Sequence, residues 1–310
     1  SLCSGGNGAV LLGNAAAQHP QAAQLQAWAM WIAQAAGSRC GVIGEAANSV
    51  GGYLAGAVPG ALGMNAAAMV HEPRRAYLLL NCEPEYDTAD PAATLRALKG
   101  ADTVIAFASY RNSALEYADA ILPITPFTET AGTFVSCEGR VQSFNGVVRP
   151  LGEARPGWKV LRVLGNELGL PGFDYDSPEA VRADALPADV AARLSNATAI
   201  APALAAAAGE RAERIADVPV YFADAIVRRA ASLQRTADAR PPRAHASTRT
   251  LASFGLKPGD KARLRQGAAS ALLECALDDR LPDGVVRVPA AHASTSTLGP
   301  MFGPLTMEPA

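Results

Sequence analysis

Up to residue 123 the chain repeats one pattern: a short apolar run, a turn, then a stretch whose apolar residues recur with helical spacing. Val10-Leu11-Leu12 is the first run; the helix after it opens near Pro20, places Leu25, Trp28 and Ile32 on one face and stops at Gly37. Residues 41–44, 76–80, 103–107 and 120–122 follow as strands, and the unbroken apolar character of 76–80 predicts a strand covered on both sides. Between them a helix over 91–99 has Asp90 to cap it and Gly100 to close it. Strands alternating with helices cannot be joined by tight hairpins, so the alternation predicts an α/β fold: a mainly parallel sheet with helices on both faces.

After residue 123 the texture changes twice. Residues 125–149 are rich in Thr, Glu, Gly, Arg and Asn and read as a long loop. Helices follow at Pro156, with Trp158, Leu161, Leu164 and Leu168 as its stripe and Gly169 as its stop, and at Ser177-Pro178-Glu179. Residues 180–240, rich in alanine and arginine, read as helical until Arg240-Pro241-Pro242-Arg243 breaks the pattern. Beyond it the period becomes two: Ala262 and Leu264 alternate with Lys261, Arg263 and Arg265, and Ala271, Leu273 and Cys275 with Leu272 and Glu274. Turns at Pro258-Gly259-Asp260 and Pro282-Asp283-Gly284 separate these runs, which predicts a small β-barrel. The expected organisation is an α/β domain over 1–180, a helical segment and linker over 181–243, and the barrel domain over 244–310.

A net charge of −2 across 310 residues, with 18% charged and 49% apolar residues, gives no basic footprint for nucleic acid. No run approaches the ~20 apolar residues of a membrane-spanning helix, so direct membrane insertion is not expected. The chain starts at Ser1 without a signal pattern and reads as entering a longer sequence partway through.

The cysteines, Cys3, Cys40, Cys82, Cys137 and Cys275, are dispersed, whereas zinc and iron–sulfur sites need a close pair on a short turn. They read as buried thiols in a reducing compartment. His19, His71, His245 and His292 are equally scattered and read as surface or capping residues. Gly6-Asn7-Gly8 precedes the first strand, where a dinucleotide fingerprint must follow one, and no phosphate-loop pattern occurs.

Two loops lie where a ligand could rest. Asn81-Cys82-Glu83-Pro84-Glu85 follows a strand of the parallel sheet, at the carboxyl edge where α/β folds bind ligands; the plainer reading is a polar turn. Glu129, Glu138 and Arg140, set among Thr130, Gly132, Thr133, Phe134 and Gln142, suggest a charged network in which a partly buried arginine fixes a loop through two parallel hydrogen bonds.

The residues Ala118-Asp119…Leu122-Pro123, Glu129…Gly132-Thr133-Phe134 and Glu138-Gly139-Arg140-Val141-Gln142 together resemble a combined signature of the molybdopterin oxidoreductase superfamily. The loop Asn81…Pro84 and the lead-in Leu256-Lys257-Pro258-Gly259-Asp260 are weaker matches. Within the superfamily the chain is most similar to the carboxyl-terminal part of the G-subunit family, the large iron–sulfur subunits of bacterial NADH:quinone oxidoreductase (respiratory complex I). That likeness rests on Gly44-Glu45-Ala46-Ala47-Asn48-Ser49-Val50-Gly51-Gly52-Tyr53, Ser143-Phe144-Asn145-Gly146-Val147, Arg155-Pro156-Gly157-Trp158-Lys159 and Leu298-Gly299-Pro300-Met301-Phe302-Gly303-Pro304. The resemblance implies a redox-inactive, structural part that scaffolds a cluster-bearing amino-terminal region passing electrons from NADH toward quinone. It implies no catalytic, cofactor-binding or metal-ligating residue here, and iron–sulfur clusters only in that missing region. Its partners would be other complex I subunits in the peripheral arm, on the cytoplasmic side of the inner membrane. The alternative is a piece of a true molybdopterin-dependent formate or nitrate oxidoreductase, with its pterin across residues 81–84 and 129–142 and against the barrel.

Overall fold

The computed structural model describes residues 7–111, 113–203 and 212–310; Cys3 and Gly6 lie outside the described residues. The chain divides into two compact units, Ser1–Ala68 with Pro123–Ala205, and Met69–Leu122 with Ala206–Ala310. Each unit is discontinuous in sequence, whereas the expected division is contiguous.

In the first unit β1 (Ala9–Leu12) pairs in parallel with β2 (Arg39–Val42), Ala9 opposite Arg39. The helix Ala22–Ala35 makes the crossover and ends before Gly37, whose φ of 62° suits a residue without Cβ. Its buried residues are Ala27, Ala29 and Ala33, not the stripe of Leu25, Trp28 and Ile32 expected from spacing; Ile32 is exposed. Alanine brings the helix backbone close to its neighbours. The larger side chains spread over the surface: Trp28 donates its indole N–H to the Ala203 carbonyl at 3.0 Å and meets Trp31 edge-on.

In the second unit β3 (Ala76–Leu80) pairs in parallel with β4 (Thr103–Ala108), and β5 (Ala120–Pro123) lies on the far side of β4. The crossover helix Pro91–Lys99 is capped as expected, Asp90 Oδ1 accepting the Ala93 N–H at 3.0 Å. Asp119 splices the start of β5 onto β4: its Oδ2 accepts the Val104 N–H at 2.7 Å while its own N–H reaches the Val104 carbonyl at 2.9 Å. β3 is not covered on both sides. It is an edge strand of its sheet, and Leu78 and Leu80 remain exposed. The parallel pairs thus belong to two small sheets rather than one continuous sheet.

Residues 125–149, read as a loop, contain an antiparallel hairpin in the first unit, β6 (Gly132–Val135) and β7 (Val141–Phe144). Phe134 meets Phe144 edge-on across it, and a Cβ at Gly132 would fall 2.6 Å from the tip of the Phe144 ring, so a larger residue there requires that ring to move. The helices Gly157–Glu167 and Pro178–Ala185 follow, the second capped by Ser177 Oγ.

The second unit closes with a six-stranded barrel of β8 (Ala212–Ile215), β9 (Ala244–Ala246), β10 (Lys261–Gln266), β11 (Ala269–Leu277), β12 (Val285–Arg287) and β13 (Gly303–Pro309), in the order β10-β11-β9-β12-β8-β13. The alternation read from sequence sets its interior. Ala262 and Leu264 are fully buried with Leu251, Val286, Leu298 and Leu305, while Lys261, Arg263 and Arg265 face out. β8 corrects the helical reading of 180–240, part of which lies outside the described residues. Alanine-rich composition favours helix locally, but closing the barrel needs a strand between β12 and β13, and tertiary pairing overrides propensity. β8 also carries Arg214, 2% exposed, whose guanidinium donates to Gln266 Oε1 at 3.0 Å and to the Gly299 and Pro300 carbonyls at 2.9 and 3.1 Å. Burial lowers this arginine to about 10. No described helix is long and apolar enough to cross a membrane.

Candidate functional site

The chain leaves β3 through Asn81, which holds a φ of 49°, tolerable for asparagine, and donates its N–H to the Phe107 carbonyl at the end of β4. That turn directs Glu83 inward, where it is 2% exposed at the start of the one-turn helix Pro84–Asp87. A carboxylate so placed loses its hydration and needs charged donors. They come from the helix Ala225–Arg229, whose start is fixed by Asp224 Oδ1 accepting the Ile226 and Val227 N–H groups at 2.8 and 2.9 Å. Arg228 Nη1 donates to Glu83 Oε2 at 2.8 Å, Arg229 Nη1 to the same oxygen at 3.1 Å, and Arg229 Nη2 to Glu83 Oε1. Arg228 Nη2 also donates to Asp87, whose second oxygen accepts the Glu83 N–H at 2.7 Å. Tyr86 and Tyr110 lie against the guanidinium planes, 5.0 Å from Arg228 and 4.7 Å from Arg229.

The charged centre of this loop is satisfied by its own chain, while Glu85 Oε2 is buried with no hydrogen-bond partner among the described residues. Two carboxylates and two guanidiniums consume one another's strongest hydrogen bonds. Burial lowers Arg228 on its own account, but its contacts with Asp87 and Glu83 more than offset this and leave it raised. Beside them burial pushes the Cys82 thiol up to about 12, so it is protonated at neutral pH and is a poor nucleophile or metal ligand. Burial, reinforced by Glu83 and Asp87, also raises the Glu85 carboxyl, which accepts a hydrogen bond from Ser113 Oγ.

The second expected site does not form a network. Glu138 and Arg140 sit on the exposed turn of the β6–β7 hairpin, 3.9 Å apart with side chains 77% and 71% exposed. The turn, closed by the Gly139 N–H on the Ser136 carbonyl, directs them to solvent, where such a pair contributes little. Glu129 acts separately, its Oε2 accepting the Leu151 N–H at 3.1 Å. This ties the chain after the hairpin to the turn before it.

Among the described residues no group of three or more His, Cys, Asp and Glu side chains is placed to hold a metal ion. His292 is a local cap, its Nδ1 accepting the Ser294 N–H at 3.0 Å, and Cys137 is exposed rather than buried. The sequence reading missed Arg228 and Arg229. The only local signal was a capping aspartate four residues upstream, and their partners lie more than a hundred residues away.

The family model for molybdopterin oxidoreductase matches residues 6–167. The G subunit of NADH-quinone oxidoreductase from Mycobacterium tuberculosis is 28% identical over 261 residues, covering 77% of this chain and 30% of that protein. A Staphylococcus aureus protein provisionally named a formate dehydrogenase is 37% identical over 65 residues, 21% of this chain and 6% of that protein. The chain therefore spans well under half the length of either relative. The solved structure of acetylene hydratase from Pelobacter acetylenicus has the same fold over 85% of this chain and 51% of its own, with a TM-score of 0.57 and 15% identity.

Proposed function

The chain belongs to the molybdopterin oxidoreductase family, and from that premise we propose that it is a redox-inactive, structural part of a G subunit of NADH:quinone oxidoreductase. Its work is mechanical. It provides a rigid body that orients a cluster-bearing region and contacts other subunits of the complex, in the peripheral arm on the cytoplasmic side of the inner membrane. Electron transfer depends on centres held at fixed separations, so rigidity is the useful property.

The observation that carries this reading is the filled loop after β3. The family's cofactor is an anionic, phosphate-bearing pterin, which calls for free cationic or N–H donors at the carboxyl edge of the sheet. Here that edge presents Glu83, Glu85 and Asp87, and the nearest guanidiniums are already spent on Glu83 and Asp87. These residues do not fit the cofactor, and no chemical step is assigned to it. The extent of similarity also supports the reading, since the quinone-oxidoreductase relative aligns over 77% of the chain and the formate dehydrogenase-type relative over 21%. The competing reading, a piece of a molybdopterin-dependent formate or nitrate oxidoreductase, draws on the higher identity within that shorter stretch.

A tag on the natural gene distinguishes them. Native electrophoresis of detergent-solubilised membranes is expected to show the tagged protein migrating with NADH-driven quinone reduction. Migration apart from it, with a formate- or nitrate-dependent activity, contradicts the proposal.

A further inference from the structure

Within the first unit the helices Ser49–Leu54, Gly157–Glu167 and Pro178–Ala185 and strand β6 enclose a cleft of about 240 Å³. It is open because small residues, among them Ala55 and Ala131, stand where larger ones would fill it. Val135, Trp158, Val181 and Leu186 give it apolar walls.

Its polar complement is one-sided. Asn48 Oδ1 accepts the Val135 N–H at 2.8 Å, which fixes the amide so that its Nδ2 donors are what it offers. Arg182 gives one hydrogen bond, from Nη1 to Ser143 Oγ at 2.7 Å, and has no ion-pair partner among the described residues. No Asp or Glu is among the lining residues. Thr133, the remaining polar side chain of the lining, has its hydroxyl engaged with Ser143 Oγ at 3.0 Å. Apolar walls with no carboxylate and a half-buried cation select an apolar body carrying an oxyanion. The volume lies below the roughly 300 Å³ at which drug-sized sites begin, so the body is short.

We propose that this cleft binds a small carboxylate with a short apolar tail, the carboxylate on Arg182 and the tail against Trp158. The proposal is independent of the scaffold reading: a structural component can still carry a metabolite site.

The test is calorimetric titration of the full chain with hexanoate, hexan-1-ol and inorganic phosphate. Hexanoate is expected to bind saturably at one site, with the alcohol and phosphate about tenfold weaker or more, the effect of a hydrogen bond to a charged group. Arg182→Gln should weaken hexanoate by a similar factor and leave the alcohol unchanged, and Val181→Phe should abolish hexanoate binding by filling the cleft. Absence of saturable hexanoate binding overturns the proposal. So does equal affinity for acid and alcohol, a comparison that needs no variant and is unaffected by any folding defect.

Discussion

Removing the Glu83 carboxylate takes from Arg229 its carboxylate partner and leaves the buried Arg228 with Asp87 alone, so this residue concentrates more stability than the exposed ion pairs among the described residues. Glu83→Ala is expected to destabilise the protein by about 3–5 kcal/mol, the cost of breaking a buried pair from one side. The value falls toward the lower end because Arg229 is one-third exposed. Urea unfolding of the full chain checks it, and a loss under about 1 kcal/mol, typical of an ordinary substitution, contradicts the buried network. His292 gives a pH-dependent counterpart. Burial depresses it below 6.5, and its Nδ1 must stay unprotonated to accept the Ser294 N–H. A depressed histidine contributes stability that is present above its unfolded value and is lost as pH falls from there through its lower folded value. Between pH 7 and pH 5.5 the melting temperature should therefore fall more steeply in the natural protein than in His292→Asn, which keeps an acceptor and does not titrate. Equal slopes contradict the assignment.

At the scale of elements, what the sequence shows depends on how local the cause is. The Asp90 and Ser177 caps, the Gly37 stop and the in–out alternation of Ala262 and Leu264 are each set within a few residues, and each stands in the structure where the sequence places it. The misses share the opposite property. β8 is a strand because β12 and β13 leave a gap for it, and β6 and β7 pair because their phenylalanines meet, neither of which local composition records. The candidate site shows the same divide. The loop after β3 was visible as a position, but its occupants, Arg228 and Arg229, were not. A fragment of residues 244–310 lacks β8 and exposes open edges on β12 and β13, so it should give the circular dichroism and proton spectrum of an unfolded chain. A folded, monomeric fragment contradicts the role given to β8.

Across the whole molecule, two units each assembled from separate stretches of chain bring distant residues into fixed relation, as the 145-residue separation of Arg228 and Glu83 shows. The fold is that of a cofactor-binding family, while the residues at the sheet's carboxyl edge are committed to one another. Fold and function can part in this way because ligand sites are grafted onto a fold rather than dictated by it. The most direct measurement is elemental and fluorescence analysis of the natural full-length protein, purified from cells with intact molybdopterin synthesis. Neither molybdenum nor tungsten in stoichiometric amount is expected, and no fluorescent pterin released on acid oxidation; about one metal and its pterin per chain would contradict a redox-inactive structural role.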